Sequence, residues 1–238
     1  MSLIIDDTLA LDAGELTSSL SIAEQQQLKA ILLTHQHYDH IRDIPMIAIN
    51  LYNHGASINI YSTPEVRDTI ETHLFNGEVY PKFQELPEAK PTVSFNLIVP
   101  YKSKSIDSYE ILAIPVNHCD GTVGYQIRDN AGKVMFYTAD TGPGLINGCQ
   151  QLSPQLLIVD VTMPNNYEQF AVNSGHLTPN LLNKELTKFQ ELKGYLPQVT
   201  VVHMDPTLEP EIKEEIAVIA RALKSPITLA HEGMQLHI

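Results

Sequence analysis

Hydrophobic and polar positions along this chain switch repeatedly between short apolar runs and helical spacing. Leu3 to Leu11 reads as two short strands around Asp6-Asp7, a hairpin start. Ser21 to Lys29 reads as a helix, with Ser21 as N-cap and Glu24 three residues on as its capping-box partner. Ala30 to Leu33 is a buried strand. Ile41 to Asn53 has helical spacing and ends near Gly55, with Pro45 in its first turn. Ser57 to Tyr61 is a strand, and Pro64 opens a helix to about Leu74.

Residues 76–91 break this rhythm. Gly77, Pro81, Pro87 and Pro91 make an irregular excursion, read as a lid beside a site. Its aromatics, Tyr80 and Phe83, either stack on a substrate base or anchor the loop. From Thr92 to Tyr137 the pattern is β-rich, with strands at Val93 to Val99, Tyr109 to Pro115, Val123 to Arg128 and Val134 to Tyr137. A turn falls at Asp129-Asn130-Ala131-Gly132. Strands then alternate with helices: Leu156 to Asp160, Pro179 to Lys193, Val199 to His203, Glu209 to Leu223. Ile227 to Ala230 and Met234 to Ile238 close the chain as strands. Two β-rich stretches, each followed by helices, predict an α/β (α+β) fold of two packed sheets with helices outside.

Composition narrows the picture. With 238 residues and 43% hydrophobic content, the chain suits a single domain over 1–238. No apolar run is long enough to span a bilayer, and the N-terminal stretch lacks the features of a signal peptide. Cys119 and Cys149 make no disulfide framework, so a cytoplasmic protein is expected. The net charge of −13 argues against a long nucleic acid or an anionic membrane as partner. It does not argue against a small anion, if bound cations dominate the field inside a pocket.

The chemistry concentrates in Thr34-His35-Gln36-His37-Tyr38-Asp39-His40, at the end of a buried strand. Imidazoles and a carboxylate at this density are costly to desolvate, and a divalent cation satisfies them together. Further ligand types recur at strand ends: His118, Asp140 and His203. His176 stands in Gly175-His176-Leu177-Thr178-Pro179, just before a helix. Strand ends lie at one edge of a sheet, so residues distant in sequence can meet there. His54, His73, His231 and His237 fit no such motif and read as structural or exposed. Asp12 reads as support for the metal motif from behind, Asp160 as packing or salt-bridging support, and Cys119 as a small buried thiol.

His35, His37, Asp39 and His40 form the His-x-His-x-Asp-His pattern, and with the ordered His118, Asp140 and His203 the chain resembles the metallo-β-lactamase superfamily from about Leu3 onward. The resemblance implies a four-layer αββα sandwich with two divalent metal ions. It puts His35, His37 and His118 on the first ion, and Asp39, His40 and His203 on the second, with Asp140 bridging. Zinc suits these donors, as do manganese and iron. Two such ions roughly 3.5–4 Å apart can share a nucleophilic hydroxide. Gly-His-Leu-Thr-Pro is similar to the histidine motif of the phosphodiesterase branch, which contains the class II cyclic-nucleotide phosphodiesterases and, more distantly here, the tRNA 3′-processing endonucleases. Asp140-Thr141-Gly142-Pro143 and Leu11-Asp12-Ala13-Gly14 resemble the former, and no basic arm of the latter is present. The chain departs from that pattern at Tyr38, usually leucine, and at Arg42-Asp43-Ile44-Pro45.

The resemblance implies a metal-dependent hydrolase acting on a small anionic nucleotide phosphodiester, with His176 as hydrogen-bond donor or general acid and Asp39 also in the catalytic set. It is compatible with a homodimer. Two other readings stand beside it: lactone or thioester hydrolysis on the same metals, and a non-catalytic metal-binding scaffold. A redox diiron role is disfavoured, because no acid replaces a histidine ligand and no flavin domain follows.

Overall fold

The structure is a computed structural model that describes residues 1–148 and 152–238; Cys149 lies outside the described residues. Contacts along the chain divide it into two compact units, Met1–Val99 and Pro100–Ile238. Each contains one sheet and its own hydrophobic core.

The first unit holds a five-stranded sheet of β1 (Leu3–Ile5), β2 (Leu9–Leu11), β3 (Ala30–Leu32), β4 (Ile58–Ser62) and β5 (Val93–Leu97), in that spatial order. The β1–β2 pair is the expected hairpin. Asp6 and Asp7 take left-handed φ values of 46° and 58° at its turn, a conformation aspartate tolerates. From β2 onward the strands are parallel, which is why β2 and β3 are apolar and buried throughout. The helices are α1 (Leu16–Ser19), α2 (Ile22–Gln27), α3 (Tyr38–Ile41), α4 (Ile44–Asn53) and α5 (Pro64–His73). The Ser21–Glu24 capping box forms as expected.

The single helix expected over Ile41 to Asn53 is divided. Pro45 has no N–H to give to the Ile41 carbonyl, so α3 stops and α4 restarts, its first bond running from Ile47 N to Asp43 O. The excursion 76–91 has no strand or helix. Phe83 is buried in the unit's core, with ring centroids 5.8 Å from Phe75 and 5.4 Å from Tyr52. It anchors the loop and is not a platform for a base. Tyr80 bonds the Met46 sulfur through its hydroxyl.

The second unit holds a seven-stranded sheet. Its strands are β6 (Lys104–Ile106), β7 (Tyr109–Pro115), β8 (Val123–Arg128), β9 (Val134–Tyr137), β10 (Leu156–Asp160), β11 (Gln198–Val202) and β12 (Ile227–Leu229), in reverse spatial order. β6 to β9 are antiparallel neighbours, and β9 to β12 are parallel. The helices are α6 (Leu145–Gly148), α7 (Glu168–Ser174), α8 (Pro179–Lys193) and α9 (Glu209–Leu223). Leu182, Leu186 and Phe189 of α8 join Ile212, Ile216 and Ile219 of α9 in one core with Val159 and Val201. That spacing is the buried stripe of an amphipathic helix. Residues 234–238, expected as a strand, are not one. Their alternation is strand-like, but among the described residues the sheet ends at β12.

Because β9, β10 and β11 run parallel, Asp140, Asp160 and His203 leave the sheet on one edge. In the first unit β2 and β3 likewise deliver Asp12 and Thr34-His35 to one edge, where Asp12 N donates to Leu32 O. No helix among the described residues is long and apolar enough to cross a membrane.

Candidate functional site

In the first unit the structure brings His35, His37, Asp39 and His40 together. The His35 ring lies 4.6 Å from that of His37 and 4.1 Å from that of His40. Asp12, buried just past β2, organises them. Its Oδ2 lies 2.8 Å from His40 Nδ1, and its Oδ1 accepts from Thr34 N at 2.8 Å and from the Thr34 hydroxyl at 2.9 Å. Thr34 Oγ1 in turn sits 3.0 Å from His35 Nδ1. The hydroxyl has one proton, given to Asp12, so it accepts from His35 Nδ1–H. His40 Nδ1 beside a carboxylate is also the protonated nitrogen. Both rings therefore present Nε2 as the donor atom. His40 Nε2 lies 3.3 Å from Asp39 Oδ2, whose side chain is 56% exposed.

The loop 12–14 is built against this motif. Ala13 N donates to His40 O, and a Cβ on Gly14 would stand 1.7 Å from the Asp39 carbonyl oxygen. Only glycine permits that approach. Asp43, part of the departure noted after the motif, accepts from Thr17 N and Oγ1, both at 2.7 Å.

In the second unit the structure brings His118, Asp140, His176 and His203 together. Asp140 Oδ2 is 3.8 Å from His118 Nε2 and 3.4 Å from His203 Nε2. One ligand atom from each of Asp140, His176 and His203 lies within 4.8 Å of the others. Here Asp160 and Thr162 repeat the arrangement of Asp12 and Thr34. The Thr162 hydroxyl donates to Asp160 Oδ1 at 2.6 Å and accepts from His203 Nδ1 at 3.0 Å. His176 Nδ1 is 3.0 Å from Asp160 Oδ2 and 3.1 Å from Thr162 Oγ1. His118 Nδ1 donates to Gly175 O at 3.0 Å. All three rings are held at Nδ1, and Nε2 of His118 and of His203 faces Asp140.

Sequence reasoning missed Thr34, Thr162 and Gly175. Gly175 is left-handed (φ 74°), and a Cβ there would meet His118 Cα at 2.8 Å. Asp12, Ala139 and His203 also have positive φ, at 59°, 57° and 61°. Backbone held in this region at strand ends is stored strain of the kind found at functional sites. Cys119, read as a buried thiol, is partly exposed and its sulfur lies 3.2 Å from Thr122 Oγ1. His54 and His231 are exposed and bond nearby carbonyls.

The donor set fits divalent cations. The imidazoles of His35, His40, His118 and His203, fixed in the tautomer that offers Nε2 and set beside carboxylates, are what borderline metal ions take, and the Asp–Thr anchors are the outer partners such ligands need.

Residues 10–205 match the beta-lactamase superfamily domain. A curated relative from Aliivibrio fischeri, described as a 3′,5′-cyclic-nucleotide phosphodiesterase, is 21% identical over 77% of this chain and 67% of its own length. The chain spans 59–67% of the lengths of three curated relatives. Among solved structures, unliganded yeast PDE1 is similar with a TM-score of 0.76 at 18% identity, covering 89% of this chain and 69% of that one. The metallo-beta-lactamase fold protein YhfI from Bacillus subtilis is similar with a TM-score of 0.74 at 18% identity, covering 98% and 88%. The chain belongs to the beta-lactamase superfamily, and its fold is the metallo-β-lactamase fold that the sequence led one to expect.

Proposed function

We propose that this chain is a dinuclear metal-dependent phosphodiesterase acting on a small cyclic nucleotide. In this reading His35, His37 and His118 would hold one divalent cation and Asp39, His40 and His203 the second, with Asp140 the carboxylate that would serve both. The observation that carries it is the place of Asp140, one carboxylate oxygen lying 3.8 Å from His118 Nε2 and 3.4 Å from His203 Nε2. A carboxylate so placed serves cations held by either imidazole. The phosphodiester part draws support from the relative described as a cyclic-nucleotide phosphodiesterase. It also draws support from His176, a histidine held by an acid beside that carboxylate.

When bound, the cations supply an acidified water and charge stabilisation at the phosphoryl oxygens. The chain's own groups do the rest. Asp160 and Thr162 fix His176 through Nδ1, so Nε2 is the nitrogen that meets substrate. With its ring held by Asp160 and Thr162, His176 would give a proton from Nε2 to a non-bridging oxygen or to the leaving alkoxide. Asp12 and Thr34 keep His35 and His40 from turning away. The reading carries with it a cytoplasmic enzyme whose partner is the nucleotide itself.

The test offers zinc- or manganese-loaded protein bis-para-nitrophenyl phosphate, cyclic AMP and a simple lactone in parallel. Phosphodiester turnover that chelation abolishes is expected. Turnover of the lactone alone would overturn the phosphodiester reading in favour of acyl hydrolysis. Metal-replete protein that retains no cation on elemental analysis would overturn the metal centre itself.

A further inference from the structure

A buried carboxylate is costly unless its oxygens are satisfied. Glu185, midway along α8, is 3% exposed, and its two oxygens bond backbone amides where the loop leaving Asp140 enters α6. Oε1 accepts from Gly144 N and Oε2 from Ile146 N, each at 3.0 Å. Lys188 Nζ is 3.8 Å from Oε1, but that side chain is 57% exposed and the pair is screened by solvent. The principal partners of Glu185 are thus main-chain groups four and six residues beyond Asp140.

The other groups of that loop are held as well. Thr141 N donates to Asp160 Oδ2 at 3.3 Å, and Gly142 N donates to Asn117 O at 2.6 Å. Asn117 Nδ2 donates to Pro143 O at 3.1 Å. The loop leaving Asp140 is therefore pinned at three places. Each pin is tied to another site residue: Asp160 anchors His176, Asn117 precedes His118, and α8 begins three residues after His176. Ala139, on the other side of Asp140, holds a left-handed φ of 57° that the surroundings must maintain.

We infer that Glu185 is a positioning residue for the bridging carboxylate, acting through the Gly144 and Ile146 amides to set where Asp140 stands relative to His118 and His203. The inference rests on the dinuclear reading above. A glutamine at 185 could serve only one of the two amides, because its NH2 would face the other.

The test compares full-length wild type, Glu185→Gln and Glu185→Ala, with Lys188→Met as the control for the ion pair. Zinc affinity is read by competition with a chromogenic chelator, and unfolding of the metal-free proteins is read separately. Glu185→Gln should bind its weaker zinc about tenfold less tightly, within the range for outer partners of metal ligands, and Lys188→Met should bind like wild type. Should Glu185→Ala fail to fold, Glu185→Gln carries the comparison. A Glu185→Gln protein that unfolds earlier when metal-free, yet takes up zinc like wild type, would make Glu185 a loop cap only and overturn the inference. A wild type that takes up no zinc would instead fail the dinuclear reading, and this inference with it.

Discussion

At the scale of single residues, the two units use the same device. An acid and a threonine hold two histidines by Nδ1: Asp12 and Thr34 with His35 and His40, Asp160 and Thr162 with His176 and His203. His176 is separable from the ligands by experiment. His176→Ala should lower kcat by about 10²- to 10⁴-fold, the usual share of a general acid, with metal content unchanged by elemental analysis. Loss of metal in that variant would make His176 a ligand, an outcome its closeness to Asp140 and His203 allows. Gly175→Ala should do the opposite. Its Cβ would meet His118 Cα, and left-handed backbone disfavours alanine by about 1 kcal/mol or more. Zinc affinity should fall, because His118 loses the carbonyl that orients it. The ligand types were legible in the sequence because charge-bearing groups crowd a short motif or stand at strand ends. Thr34, Thr162 and Gly175 were not, since a hydroxyl or a carbonyl becomes an anchor only once folding brings an imidazole to it.

At the scale of elements, α8 and α9 end where the pattern predicted, because Thr178, Pro179 and Gly194 punctuate the first, and a full apolar stripe marks the second. The missed elements are short. β6 is three residues with one buried side chain, and α3 lies inside the metal motif, where ligand chemistry masks helical pattern. α2 gives a testable case of local control. Its six residues are too few to be stable alone, so the cap matters. Ser21→Ala should cost about 1 kcal/mol of stability, read as a shift in urea midpoint at neutral pH. Hydrogen bonds from the Ser21 side chain and backbone hold the Glu24 carboxyl below its ordinary pKa. A depressed folded pKa means the Glu24 contribution is present above the ordinary glutamate value, about 4.3, and is lost as pH falls through the folded one. The gap between wild type and Ser21→Ala should therefore narrow in acid. A gap that stayed constant would remove Glu24 from the account.

At the scale of the whole molecule, the chain carries 28 acidic and 15 Lys or Arg side chains, a net charge of −13. Self-repulsion of that size destabilises any compact state, and both specific cation binding and plain screening relieve it. The two causes separate by concentration. Binding to the folded state adds about 2.7 kcal/mol when the ligand stands at a hundred times its Kd. For a chain of this length that corresponds to roughly 5–10 °C in melting temperature. Chelation of metal-loaded protein should lower Tm by about that much, and micromolar zinc should restore it. Sodium chloride at the ionic strength of the zinc solution should restore almost none of it. If the salt alone matched zinc, the gain would be general screening of an acidic surface, and the histidines gathered beside Asp140 and Asp39 would have no cation to answer for their arrangement.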